Sequence, residues 1–239
     1  RAFLAHLPAL LTAREVRGWP DDHPLLVGLR GVGSAAAAAL LPLLAQERDG
    51  SRRQVITVLL ARIGDPAVDA LAPLLGERNP EQVRPAIQAL AQMRTARAVR
   101  ALRAVAQHPD VTVRRDAIDA LRTTQLPQAQ ETLLDFLRDP DPQVRQHCVG
   151  QLAPETARRV AADLVAMLGD RALRAAPEVR IAICQALVRA RAVDVIPDLR
   201  VHASPFRLRA RDRDVARHVR AAIAALQDGA APRGQRRTS

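Results

Sequence analysis

Residues Leu133 to Leu152 read LLDFLRDPDPQVRQHCVGQL. Leu133, Phe136 and Leu137 stand at i, i+3 and i+4, and after a break Val144, Cys148, Val149 and Leu152 repeat that spacing. This is the pattern of two amphipathic helices. The break, Arg138 to Gln143, carries Pro140 and Pro142, each after an Asp. Proline cannot continue a helix but suits the first turn of the next one, so the segment predicts a tight helical hairpin. Neither helix can bury its apolar stripe alone, and a lone hairpin has nothing to pack on.

The partners are other copies of the same unit. Leu40, Leu71, Leu102, Leu133 and Leu164 recur every 31 residues, and so do Leu59, Leu90, Leu121 and Leu152. Further apolar columns keep that period: Leu43, Leu74, Val105, Phe136 and Met167; Val55, Ala86, Ala117 and Cys148; Ile56, Ile87, Ile118 and Val149. A fixed period of this length marks a solenoid, in which successive hairpins stack into one core. Beyond Leu164 the spacing widens: Leu187 lies 35 after Leu152, Leu199 lies 35 after Leu164, and Leu226 lies 39 after Leu187. Both slips fall between the helices of a unit, adding four residues around Gly169 to Pro177 and eight within Ser204 to Asp214. Upstream, Leu7, Leu10 and Leu11 match Leu40, Leu43 and Leu44 with a two-residue insertion, and Val32-Gly33 matches Ile63-Gly64. The expectation is an all-α, α-solenoid fold of about seven stacked hairpins in one domain, 1–228. Its units are 1–33, 34–64, 65–95, 96–126, 127–157, 158–192 and 193–228. The basic tail 229–239 has no apolar face and is expected to be disordered.

Composition agrees. Only 2% of the 239 residues are aromatic although 48% are apolar, and that share is mostly Ala, Leu, Val and Ile, suited to close helix packing. No uninterrupted apolar run approaches the roughly 20 residues of a bilayer span, and no signal-peptide pattern is seen. A cytoplasmic protein without membrane contact is expected. Cys148 and Cys184 lie inside apolar helical patterns without ligand spacing and read as buried free thiols in a reducing compartment. All 36 basic residues are Arg, giving a net charge of +11, and residues 189–239 hold 12 of them against five acids. The excess favours anionic partners, although a GC-rich coding genome also replaces Lys by Arg.

The runs Leu40-Leu-Pro-Leu-Leu44 and Leu71-Ala-Pro-Leu-Leu75, the turn from Asp139 to Arg145 and the ending Ala61-Arg-Ile-Gly-Asp65 resemble bacterial HEAT repeats, including the short type of phycobilin-lyase-related proteins. The resemblance covers about 1–228 and is mostly packing and turn residues, so it implies fold more than function. It implies that Pro42 and Pro73 kink their first helices, while those with Ala104, Asp135 and Ala166 in that place run straighter. It also implies a ladder of Arg52, Arg114, Arg145 and Arg180 pairing with turn acids such as Asp110, Asp139 or Asp141. Because the chain starts at Arg1 with no polar capping repeat, it reads as a segment of a longer protein.

Two sets of residues are candidates for partner binding. Arg53, Arg84, Arg115 and Arg220 form a column on the second helices, which the resemblance places along a concave surface at the roughly 10 Å pitch of packed helices. Such a row can follow a polyanion or an acidic peptide. Arg171 and Arg174 in the first long turn, and Phe206, Arg207, Arg209, Arg211 and Arg213 in the second, make an Arg-rich edge with one anchoring aromatic. No HExxH pair, phosphate-binding glycine loop or nucleophile elbow occurs, so neither catalytic residues nor a metal or other cofactor is expected. Trp19, before Pro20 in the enlarged first turn, is expected to cover the end of the stack. The leading reading is a non-enzymatic scaffold for a protein partner with an acidic or extended segment, and no small-molecule substrate is evident. The alternative is nucleic-acid binding through phosphate contacts, without the aromatic residues and buried carboxylate that glycosylase chemistry needs. A chromophore-lyase or chaperone role rests on the fold resemblance alone.

Overall fold

The computed structural model describes His6, residues 8–170, Leu173 and residues 176–203 and 210–230, and of 210–212, 229 and 230 the backbone only. Among them all regular structure is helical. The helices are α1 Ala13–Gly18, α2 Pro24–Gln46, α3 Gly50–Ile63, α4 Asp65–Leu71, α5 Pro80–Met93, α6 Ala96–Arg103 and α7 Val111–Thr124. They continue with α8 Pro127–Asp135, α9 Pro142–Gln151, α10 Pro154–Arg159, α11 Ala161–Leu168, α12 Pro177–Arg189, α13 Ile196–His202 and α14 Ala210–Ala230. The chain divides into two compact units, one up to Asp135 and the other from Phe136 onward.

In the first unit the helices form two layers. First helices of successive hairpins pack in the order α2, α4, α6, α8, and second helices pack in the order α3, α5, α7, with α1 against α3. The core between the layers is the set of sequence columns: Leu40, Leu71, Leu102, Leu133, Leu59, Leu90 and Leu121 are all fully buried. In the second unit α9 packs on α12 and α12 on α14, while α11 packs on α13. Leu164, Leu187, Leu199 and Leu226 are buried there, so the apolar seam survives the wider spacing. Stacked hairpins sharing an apolar seam are the packing of an all-α solenoid.

Several local expectations are corrected. The helix with Pro42 stays α-helical to Gln46, whereas those with Ala104 and Asp135 tighten into 3₁₀ turns at Ala104–Gln107 and Phe136–Arg138, as the one with Pro73 does at Ala72–Gly76. Proline is therefore not the cause. Each 3₁₀ end closes a bond three residues on, from the N–H of Glu77 to Leu74, of His108 to Val105 and of Asp139 to Phe136, and this tightening aims the chain into the interhelical turn. Leu10, matched to a half-buried Leu43, is 75% exposed.

Helix α2 is, contrary to the sequence expectation, long and apolar enough to cross a bilayer by length and composition. That length arises because the helices of two successive hairpins run on across Gly33, which breaks the helix at φ 47° and ψ −110°. Leu26 and Leu29 before the break, and Ala36, Leu40 and Leu44 after it, are core residues. Glycine is required at the break twice over: its φ is positive, and a Cβ would lie 3.0 Å from that of Pro66.

Cys148 and Cys184 are buried thiols outside any disulfide among the described residues. Burial pushes the Cys184 thiol up to about 11 and raises that of Cys148 as well, with the Asp139 carboxylate adding to the latter. Because the thiolate is the reactive form, a disulfide reagent at neutral pH should leave the folded chain unlabelled on the timescale of minutes and titrate both thiols in denaturant. Rapid labelling of the native protein would contradict this burial.

Candidate interaction surface

The turns between the helices of a hairpin share one design. Their three residues are Glu47-Arg48-Asp49, Glu77-Arg78-Asn79, His108-Pro109-Asp110 and Asp139-Pro140-Asp141. The third residue caps the second helix: Asp110 Oδ1 accepts from the N–H groups of Thr112 and Val113 at 2.7 and 3.1 Å, and Asp49, Asn79 and Asp141 act likewise. The Thr112 hydroxyl, joined by these N–H groups, holds the Asp110 carboxyl below its ordinary range. In three of the turns a side-chain atom of the first residue accepts from the cap's own N–H: Glu47 Oε1 at 2.9 Å, His108 Nδ1 at 3.0 Å and Asp139 Oδ1 at 2.8 Å.

An Arg four residues past the cap closes the turn from below. Arg53 donates to the Glu47 carbonyl, Arg114 to those of His108 and Pro109, and Arg145 to those of Asp139 and Pro140. The expected ladder was therefore one residue out of register at its first rung. Arg52 is exposed and Arg53 does the work, because the first two turns are 30 residues apart rather than 31. Arg180 holds the corresponding place in α12 and is buried.

The Glu77 turn has Val83 in the Arg position, and its carbonyl is served from elsewhere: His108 Nε2 lies 2.9 Å from Glu77 O. Since Nδ1 of that ring accepts from a backbone N–H, Nε2 carries the proton and donates. His108, 5% exposed, thus ties one turn to the next. Its position two residues before a cap Asp is the signal for this role in the sequence.

The candidate Arg column does not behave as a uniform row. Arg53, already bonded to Glu47, also lies 3.9 Å from Glu81. Arg84 bridges α5 to α7 by its Nε to Asp116 at 2.8 Å, reaches Thr112 Oγ1 at 3.1 Å and pairs with Glu81 at 3.1 Å. Asp116 and then Glu81 hold its guanidinium protonated more firmly than usual. Arg115 is exposed on α7 and has no side-chain partner among the described residues; Arg220 is likewise exposed on α14. Beside the Arg84–Asp116 bridge runs a groove of about 320 Å³ between α5 and α7, lined by the apolar Ile87, Ala91 and Ala120 and by the polar Gln88, Gln92, Asp119 and Thr123.

Of the long-turn candidates, Arg171, Arg174, Phe206, Arg207 and Arg209 lie outside the described residues, as does 231–239. Arg211 falls in α14 with only its backbone described, and Arg213 is exposed on the first turns of that helix. Trp19 is half-buried and stacks flat on His23, ring centroids 4.2 Å apart. Beside it Asp21 binds both Arg30 at 3.0 Å and Arg62 at 3.4 Å, and Arg62 donates to the Trp19 carbonyl at 2.6 Å. The aromatic therefore belongs to a turn clasp. Among the described residues no three His, Cys, Asp or Glu side chains converge as a metal site would require.

The family model of HEAT repeats matches residues 37–122 and 102–187, together more than half of the chain. No curated protein matches it.

Proposed function

Because the chain belongs to the HEAT-repeat family, whose helical repeats form scaffolds for interactions, we propose that it is a non-enzymatic scaffold for a protein partner. The partner contributes an acidic or extended segment, taken along the second helices and the Arg-rich turn edge. The observation that carries this reading is the surface of α5 and α7. There a groove of about 320 Å³ with Gln and Thr side chains, able to donate to and accept from a polypeptide backbone, lies on the helix that bears Arg115, which has no side-chain partner among the described residues. Broad layered surfaces of this kind suit extended partners better than small substrates.

Phosphate-driven binding of nucleic acid is less well supported. A row of guanidinium groups following a backbone needs free side chains, and Arg53 and Arg84 are already engaged by Glu47, Asp116 and Glu81. The test is fluorescence anisotropy of the purified chain with a labelled poly-glutamate peptide, a DNA duplex and a single strand, each at low and at physiological salt. The scaffold reading expects peptide binding that Arg115→Glu weakens by about threefold or more, roughly the loss of one exposed charge contact. DNA binding that survives physiological salt, with no response of the peptide to Arg115→Glu, would replace it by the nucleic-acid reading.

A further inference from the structure

A second cleft, of about 390 Å³, opens on the turn edge between the hairpin of α2 and α3 and that of α4 and α5. Leu41 and Leu44 of α2, Leu74 of the following 3₁₀ turn and Pro85 of α5 supply an apolar lining, while Arg53, Glu77 and Glu81 stand among its walls. Its volume falls in the range of about 300–1,000 Å³ that takes small ligands or large side chains.

The turn design explains why there is space here. One joint further on, the turn carbonyl of Glu77 has no Arg of its own and the ring of His108 reaches back to it, buried between the turns. At the joint with the cleft the residue in that place is Glu77, whose side chain is exposed. The carbonyl it would meet, that of Glu47, already accepts from Arg53 Nη2 at 2.7 Å and Nε at 3.3 Å. An internal ring therefore fills the one joint and no internal side chain takes that place in the other.

We propose that this cleft is an anchor pocket for an aromatic side chain of the partner, followed in the partner by a basic residue. The lining fits a ring: the Leu and Pro side chains bury its faces, and the Arg53 guanidinium, held by Glu47, offers a planar cation for an aromatic to stack on. The neighbour's charge follows from the mouth, where the two carboxylates of Glu77 and Glu81 face the single guanidinium of Arg53. Glu81 is shared with Arg84, and no hydrogen bond or ion pair engages the Glu77 carboxylate among the described residues. An acidic neighbour is disfavoured at this point, whatever charges the partner carries elsewhere. The proposal rests on the scaffold reading for the kind of occupant and adds the place and chemistry of one contact.

The probe is the capped dipeptide N-acetyl-Trp-Lys-amide, titrated into the full chain with methyl-labelled Leu and followed by NMR. We expect saturable shifts of the Leu41, Leu44 and Leu74 methyls, with a Kd on the order of 1 mM for so small a ligand. N-acetyl-Trp-Glu-amide should bind about fivefold more weakly, in line with reversing one exposed charge contact. Ala45→Trp, at an exposed wall position, should fill the cleft and abolish the shifts; Glu77→Arg, also exposed, should weaken the Lys dipeptide and strengthen the Glu one. No shift of these methyls at about tenfold above that Kd, or equal affinity for both dipeptides in every variant, overturns the pocket. Neither result depends on poly-glutamate or Arg115, so the pocket and the scaffold reading fail separately.

Discussion

Replacing Leu121 by Ala lowers the free energy of unfolding by about 2–5 kcal/mol, the cost of emptying a packed site that cannot collapse. Leu121 is fully buried in α7, and it stands in the column of Leu59 and Leu90 that forms the seam between the two helix layers. The helices on both sides carry that column, so no single one can move in to close the void. The expected measurement is a urea titration in which the midpoint falls while the slope is unchanged, since the variant loses contacts without changing how much surface unfolds. A loss below about 1 kcal/mol would mean that the site relaxes and that the column is not the seam.

The second large effect is expected at a charged residue. Arg114→Ala should cost about 1–3 kcal/mol, because its removal strips donors from the carbonyls of His108 and Pro109 inside a closed turn. Arg114 is 6% exposed, which takes it out of the class of surface ion pairs whose removal is nearly silent. Arg52→Ala is the matched control. It stands at the place the 31-residue register assigned to the same ladder, yet its side chain is exposed, and a change within about 0.5 kcal/mol is expected. Equal losses at both positions would show that the ladder follows the repeat register and not the distance from the helix cap.

These two residues mark where sequence reading succeeded and where it slipped. Leu121 was placed because burial repeats with the core period, and a period shared by several columns tolerates no local shift. The Arg ladder follows a different ruler. It is counted from the cap that starts each second helix, and between Asp49 and Asn79 the caps are 30 residues apart while the apolar columns keep 31. The candidate surface suffered from the same ambiguity: Arg53, Arg84 and Arg115 look alike as a column, yet the first is committed to Glu47, the second to Asp116 and the third has no partner among the described residues. Spacing alone could not separate them, because the groups that engage Arg53 and Arg84 lie in a turn and on another helix.

What the sequence determined by itself is the all-α solenoid class, the paired helices and their buried columns. An apolar stripe at helical spacing has one way to leave water, and a stripe repeated at a fixed interval has to meet its own copies. What the tertiary structure decided is the chemistry at the joints: which guanidinium closes which turn, that His108 fills one joint while Glu77 leaves the previous one open, and that Gly33 breaks the long helix where two hairpins join. Those outcomes depend on hydrogen bonds within a turn, on one that links turns 31 residues apart and on a break in the backbone, and their geometry is set only once the stripes have packed.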